Sequence, residues 1–301
     1  MGYQISRVTR RKEYMVRFQN WFHKYNAWSY TKHRLWGECK RAYYYNYIGA
    51  ALESSIEIDI AKVKRLKKLN GRFVIQGKII HEIIEKFIKD YQSKKVFCED
   101  DARDEFINQI ESYRKAAKTQ IIENVNGTDV SESFFDRARE NGLDQLGLFF
   151  GVIWPQIENY KYLQHEEFDN FFVDGVKAIV KIDYVCKNDN GEVLIYDWKT
   201  GSDNEEYESD LQISAYALWA QHKYGLPSTQ ISCNLVYLTS GVIKTYQFTD
   251  QQINNLKTLM ISDFRDMNSN YELANYPPNP NIKACPGCNF ATICPSALLN
   301  K

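Results

Sequence analysis

Asp183, Asp197 and Lys199 are the residues whose types and spacing could do chemistry in this sequence. Asp197 and Lys199 stand two apart in VLIYDWK, so in a strand both side chains leave one face, with Val193 and Ile195 beneath them. Asn188-Asp189-Asn190-Gly191 reads as a turn, which sets Asp183 opposite Asp197 with Cβ atoms roughly 5 Å apart. Two carboxylates that close repel each other unless a cation lies between them. Oxygen ligands on rigid strands suit Mg²⁺ or Mn²⁺, which keep open positions for a phosphate oxygen and a nucleophilic water. Lys199 would orient or activate that water and stabilise charge on the scissile phosphate. A solvated hairpin would carry the same D-x-K spacing, yet aspartates are uncommon in strands otherwise rich in Val and Ile. The helix that follows adds Gln212 and Tyr216 at i, i+4 on one face, placed to hold a strand backbone or orient Lys199.

A second candidate centre is made of sulfur. Seven cysteines are an odd count, which argues for thiols or metal ligands over a disulfide framework. Cys98, Cys186 and Cys233 stand alone and read as structural or incidental thiols. Cys285, Cys288 and Cys294 instead form C-x2-C-x5-C, just after the proline-rich 276–280, where neither helix nor central strand is expected. Structural zinc and four-iron clusters both take four ligands, and Cys39 is the best remaining thiolate. A shared centre would clasp the 276–301 segment to the N-terminal region. Spacing alone leaves iron–sulfur, zinc and three unliganded thiols open.

The elements that must position these groups follow from periodicity. Residues 77–91 carry apolar side chains at 80, 83, 84, 87, 88 and 91, a helical stripe with His81 at its edge, Glu85 on the face of His81, and Gly77 one turn earlier where close backbone approach is allowed. Residues 92–165 read as a helical insertion. From 171 the period shortens to that of antiparallel strands, turning at Asp174-Gly175, then at 188–191. A helix over about 205–224 and strands near 231–238 and 242–248 complete the pattern. The whole reads as one domain over 1–301.

Lys and Arg number 38 against 38 Asp and Glu, so the net charge is zero and any polyanion site must be local. One local field is the 61–72 run, which holds Lys62, Lys64, Arg65, Lys67, Lys68 and Arg72 and no acid, and reads either as a solvated helix face or as a DNA phosphate contact. No stretch is long and apolar enough for a membrane span and no signal segment opens the chain, so a soluble cytoplasmic protein is expected, with no membrane partner. Residues 71–79 lack the spacing of a phosphate-binding loop, so unwinding would need a helicase or other protein partner.

Taken in order, GKIIHEIIEKF, KID, YDWKTG and LQISAY resemble the RecB-like branch of the PD-(D/E)XK nucleases. The one-plus-three cysteines further resemble the iron–sulfur subgroup typified by AddB nuclease domains and CRISPR-associated adaptation exonucleases. The resemblance covers residues 30 to 295 apart from the insertion. It implies an α/β fold with a restriction-endonuclease-like core, a mixed central sheet flanked by helices, together with the helical insertion and the iron–sulfur clasp. It also implies that His81, Asp183, Asp197 and the Trp198 carbonyl bind Mg²⁺ or Mn²⁺, that Lys199 serves catalysis, that Gln212 and Tyr216 complete the site, and that the four cysteines hold a [4Fe–4S] cluster in preference to Zn²⁺. Val180 departs from the pattern, since a glycine often stands three residues before the first aspartate. The expected activity is metal-dependent hydrolysis of DNA, directed at single strands or ends and serving repair, recombination, CRISPR adaptation or phage DNA processing. Two other functions use the same residues: a catalytically silent DNA-binding or assembly subunit, and a zinc-binding interaction module.

Overall fold

The computed structural model describes residues 7–203 and 209–299, and the start of the helix expected from 205 lies outside them. Five strands, β1 (Lys161–Val173), β2 (Val176–Lys187), β3 (Val193–Lys199), β4 (Ile231–Tyr237) and β5 (Val242–Tyr246), form one sheet in sequential order. All neighbours are antiparallel except β3 and β4. A parallel pair needs a crossover, and the helix Ser209–Tyr224 lies within it. The turn between β1 and β2 has Asp174 and Gly175 at φ 46° and 83°, the left-handed pair that suits a two-residue hairpin.

Helices cover both faces. Ser209–Tyr224 and Asp250–Met267 pack over a core that includes Val193, Ile195, Leu235 and Trp219. On the opposite side Arg72–Gln92 buries Ile75, Ile79, Ile80, Ile83, Ile84, Phe87 and Ile88, a stripe at helical spacing, against Tyr184, Tyr196 and Trp198. A third core joins Phe18, Phe22 and Tyr43–Tyr45 to Tyr271, Tyr276 and Phe290, so residues far apart in sequence share one apolar cluster.

The boundaries expected for the insertion need correction. Residues 161–165 are strand, because β1 begins at Lys161, which pairs with Lys187 of β2. The helical part ends at Ile157, and it belongs to the core: Phe149 meets Trp198 edge to face at 5.5 Å, and Gln145 donates to the Thr200 carbonyl at 3.0 Å. β2 outruns β3, which pairs only with residues 184–187. Further along that strand the Trp28 N–H donates to the Lys177 carbonyl and the Ile179 N–H to the Trp28 carbonyl, so the N-terminal segment fastens onto β2.

Candidate active site

The β2–β3 pairing stops at Tyr184 opposite Tyr196, and Asp183 and Asp197 are the next residue beyond it on each strand. Both carboxylates are buried, and Asp183 Oδ2 accepts the Trp198 N–H at 2.7 Å. Asp197 faces the other way along the site. Its Oδ2 lies 2.5 Å from Lys199 Nζ, and its Oδ1 is 3.1 Å from Tyr216 Oη. Gln212 Oε1 accepts from Lys199 Nζ at 3.0 Å while its Nε2 donates to Tyr216 Oη at 2.7 Å, and the same phenol reaches the Lys181 carbonyl at 3.0 Å. The i, i+4 pair on the Ser209–Tyr224 helix therefore fixes the lysine and the second aspartate together.

His81 arrives from the Arg72–Gln92 helix. Its Nε2 is 3.0 Å from the Trp198 carbonyl, and its Nδ1 is 3.4 Å from Asp183 Oδ1 and 3.5 Å from Glu166 Oε1. Gly77 makes this approach feasible, because a Cβ there would stand 2.7 Å from Thr200 Oγ1, directly after Lys199. His81, Asp183, Asp197, Lys199, Gln212 and Tyr216, with Val180, line one cleft of about 390 Å³.

Glu166 was not indicated by sequence spacing. It interrupts β1 at φ 47°, between the pairs His165–Tyr184 and Glu167–Ile182, which puts it level with Asp183. His81, Glu166 and Asp183 offer ligand atoms all within 4.8 Å of one another. Both Glu166 oxygens are buried without a hydrogen bond of ordinary geometry among the described residues, and Lys181 supplies an ion pair. Buried anionic oxygens set around an imidazole fit the surroundings of a divalent cation, where carboxylates serve both as ligands and as partners of a ligating histidine.

The charges confirm how crowded the site is. Burial pushes the Asp183 carboxyl up to about 6, opposed by His81 and reinforced by Asp197. Burial disfavours a charged His81, but Asp183 and Glu166 outweigh it and raise the imidazole well above its ordinary range. Lys199 is likewise raised, its burial overcome by Asp197, and burial with both aspartates keeps Tyr216 a neutral phenol.

Cations at the cleft differ from those expected. None of Lys62, Lys64, Arg65, Lys67, Lys68 and Arg72 lines it, whereas Lys32, Lys181 and Lys199 do. Arg72 donates its N–H to the Glu123 carboxylate, and Lys67 reaches the Asn46 carbonyl. Lys32 is pushed down to about 8 by burial and by the nearby charge of Lys67. Phe168 stands at the cleft 77% exposed.

The four cysteines expected to form the clasp lie in one part of the fold. Cys39, Cys285, Cys288 and Cys294 line one pocket of about 30 Å³, with Tyr45, Phe290 and Pro280 among its walls. Backbone N–H groups of Asn279 and Asn281 point at the sulfurs of Cys39 and Cys285, each at 3.4 Å. Arg41 Nε donates to the Tyr276 carbonyl at 2.7 Å and Asn279 Nδ2 to the Glu38 carbonyl at 2.9 Å, tying the same two regions together. Cys288 is held up at about 11, mainly by burial. Cys186 and Cys233 are buried elsewhere in the core, and Cys98 starts the Glu99–Lys115 helix.

The family model of the PD-(D/E)XK nuclease superfamily matches residues 27–295. The chain belongs to the PD-(D/E)XK nuclease superfamily. This superfamily member is similar to the solved structure of SSO0001, at 17% identity over 63% of this chain and 82% of that one, with a TM-score of 0.31. It is also similar to a Eubacterium rectale protein assigned as an exonuclease, at 12% identity over 83% of this chain and 96% of that one, with a TM-score of 0.32. No curated protein sequence matches it. The mixed five-stranded sheet with helices on both faces is the expected PD-(D/E)XK architecture. Among the described residues no helix is long and apolar enough to cross a membrane.

Proposed function

We propose that the protein is a divalent-metal-dependent DNA nuclease acting on single strands or free ends. The observation that carries the reading is the convergence of His81, Asp183, Asp197 and Lys199 in one cleft of a PD-(D/E)XK chain. Mg²⁺ or Mn²⁺, held by His81, Asp183, Asp197 and the Trp198 carbonyl, would polarise the phosphate and supply a nucleophilic hydroxide. The protein's own share is positional. Asp197 and Gln212 hold the Lys199 ammonium at the cleft, where it stabilises charge growing on the phosphate. Tyr216, kept neutral, ties Asp197 to the Lys181 backbone.

Lys32 gives the cleft a cation for a phosphate backbone, Lys181 being paired with Glu166, and exposed Phe168 offers a face on which an unpaired base can stack. That combination favours single strands. The basic run at 62–72 then serves the DNA beyond the cleft, with Lys67 close enough to Lys32 to depress its pKa. Repair, recombination, CRISPR adaptation and phage DNA processing all use such an activity, and a helicase partner would supply unwinding.

For the cysteines we propose a [4Fe–4S] cluster that fastens the two ends of the domain. The four thiols share a walled pocket, and the N–H groups aimed at two of them are hydrogen bonds of the kind that tune such clusters.

The test is cleavage of end-labelled single- and double-stranded DNA with Mn²⁺, Mg²⁺ or EDTA, using anaerobically purified wild type and Asp197→Ala. Metal-dependent products absent from the variant support the reading and report polarity. Bound DNA with no products would leave the protein a silent binding subunit.

A further inference from the structure

The two ring nitrogens of His81 meet different surroundings. Nε2 sits 3.0 Å from the Trp198 carbonyl, so this edge of the ring faces β3 and the proposed cation. Nδ1, on the opposite edge, faces Asp183 Oδ1 at 3.4 Å and Glu166 Oε1 at 3.5 Å. A histidine that presents one nitrogen to a cation carries its proton on the other, and that N–H needs an acceptor to fix the ring. Asp183 Oδ1 is marginally the nearer, but that carboxylate is itself a proposed ligand, and its other oxygen is held by the Trp198 N–H.

Glu166 has no such competing duty. Its side chain is 2% exposed, neither oxygen has a hydrogen bond of ordinary geometry among the described residues, and Lys181 neutralises it from the β2 side. A carboxylate buried to that degree is retained only where paired charges compensate its lost hydration. The groups that compensate it are the imidazole and the Lys181 ammonium.

We infer that Glu166 is the positioning residue of the metal site, accepting the Nδ1–H of His81 so that Nε2 is turned toward the Trp198 carbonyl and the cation. Lys181, paired with the carboxylate, holds it in place. The arrangement is a carboxylate–histidine–metal relay assembled from β1, the Arg72–Gln92 helix and β3. It rests on the nuclease reading, and it adds a residue outside the D-x-K pattern.

The experiment is Mn²⁺ binding to the full-length protein, followed by loss of the free-ion electron paramagnetic resonance signal and read beside the melting temperature. Wild type should bind Mn²⁺ and Asp183→Ala should not. Glu166→Ala should weaken binding about 10- to 100-fold at a nearly unchanged melting temperature. Glu166→Gln, whose amide oxygen still accepts from Nδ1–H, should recover most of that affinity. Should Glu166→Ala fail to fold, Glu166→Asp, too short to reach Nδ1, takes its place with the same expected loss. Unchanged affinity in Glu166→Ala or Glu166→Asp overturns the inference. So does a Gln variant as weak as the truncated one, which would make Glu166 a direct ligand. Wild type that binds no Mn²⁺ would remove the metal site itself, and with it this role.

Discussion

Asp183 Oδ2 accepts the backbone N–H of Trp198 at 2.7 Å, so the first aspartate is fastened to the strand that carries the second. The bond spans the hairpin and sets the carboxylate against the residue whose carbonyl meets His81. Burial still leaves Asp183 raised to about 6. A carboxyl raised above its ordinary 3.8 binds its proton more tightly in the folded protein, so folding is progressively penalised as pH rises from about 4 through 6. In EDTA, Asp183→Asn should therefore gain stability over wild type between pH 4.5 and 7.5, by roughly 1–3 kcal/mol. Thermal melts at the two pH values check this, and an equal difference at both would contradict it.

Lys199→Ala should lower the cleavage rate by about 10²-fold or more, the scale for removing a preorganised charge from a phosphoryl site. Its partners Asp197 and Gln212 stay in place, so DNA binding should survive. Parallel cleavage and anisotropy measurements separate the two, and cleavage at the wild-type rate would remove Lys199 from the site.

Gly77→Ala forces a methyl to 2.7 Å from Thr200 Oγ1 and should cost about 1–3 kcal/mol while displacing His81. Adding Thr200→Ala removes the obstructing hydroxyl and should restore most of the loss. A double variant as unstable as the single one would mean that the clash is not the cause.

Cys288→Ala should lower the melting temperature and bleach any visible absorbance of the anaerobic protein, because losing one thiolate loosens the tie between the two ends. Cys98→Ala, remote from that pocket, is the control. Equal melting temperatures for the two variants would argue against a clasp.

Phe168→Ala should reduce cleavage of single strands more than that of duplexes, with a loss of about 1–3 kcal/mol in single-strand affinity for one stacked base. Phe168→Trp should retain it. A uniform effect on both substrates would place the ring outside the DNA path.

Much of this site is legible in one dimension because its parts obey local rules. The alternation of VLIYDWK places Asp197 and Lys199 together, the 188–191 turn sets the register of Asp183, and helical spacing pairs Gln212 with Tyr216. Gly77 is readable for the same reason, a gap one turn ahead of a functional histidine. Glu166 is not, because HEEFD sets charges on neighbouring positions that hide strand alternation, and a left-handed residue decides which acid turns inward. Lys32 is likewise hidden. It enters the cleft because Trp28 fastens the N-terminal segment to β2, a contact between residues about 150 apart. The basic run at 62–72 is legible as a charged face, but charge density does not give its distance from the cleft, which it does not line.

The bonds from Arg41 to Tyr276 and from Asn279 to Glu38 have a consequence for how the molecule is made. Residues 27–32 wall the cleft and lead directly into the helix that ends beside Cys39, whose counterparts are translated more than two hundred residues later. On the ribosome the partners of that wall emerge in order, β2 with its bonds to Trp28 first and the 285–294 cysteine loop well after it, so the tie to Cys39 is the later of the two fastenings to close.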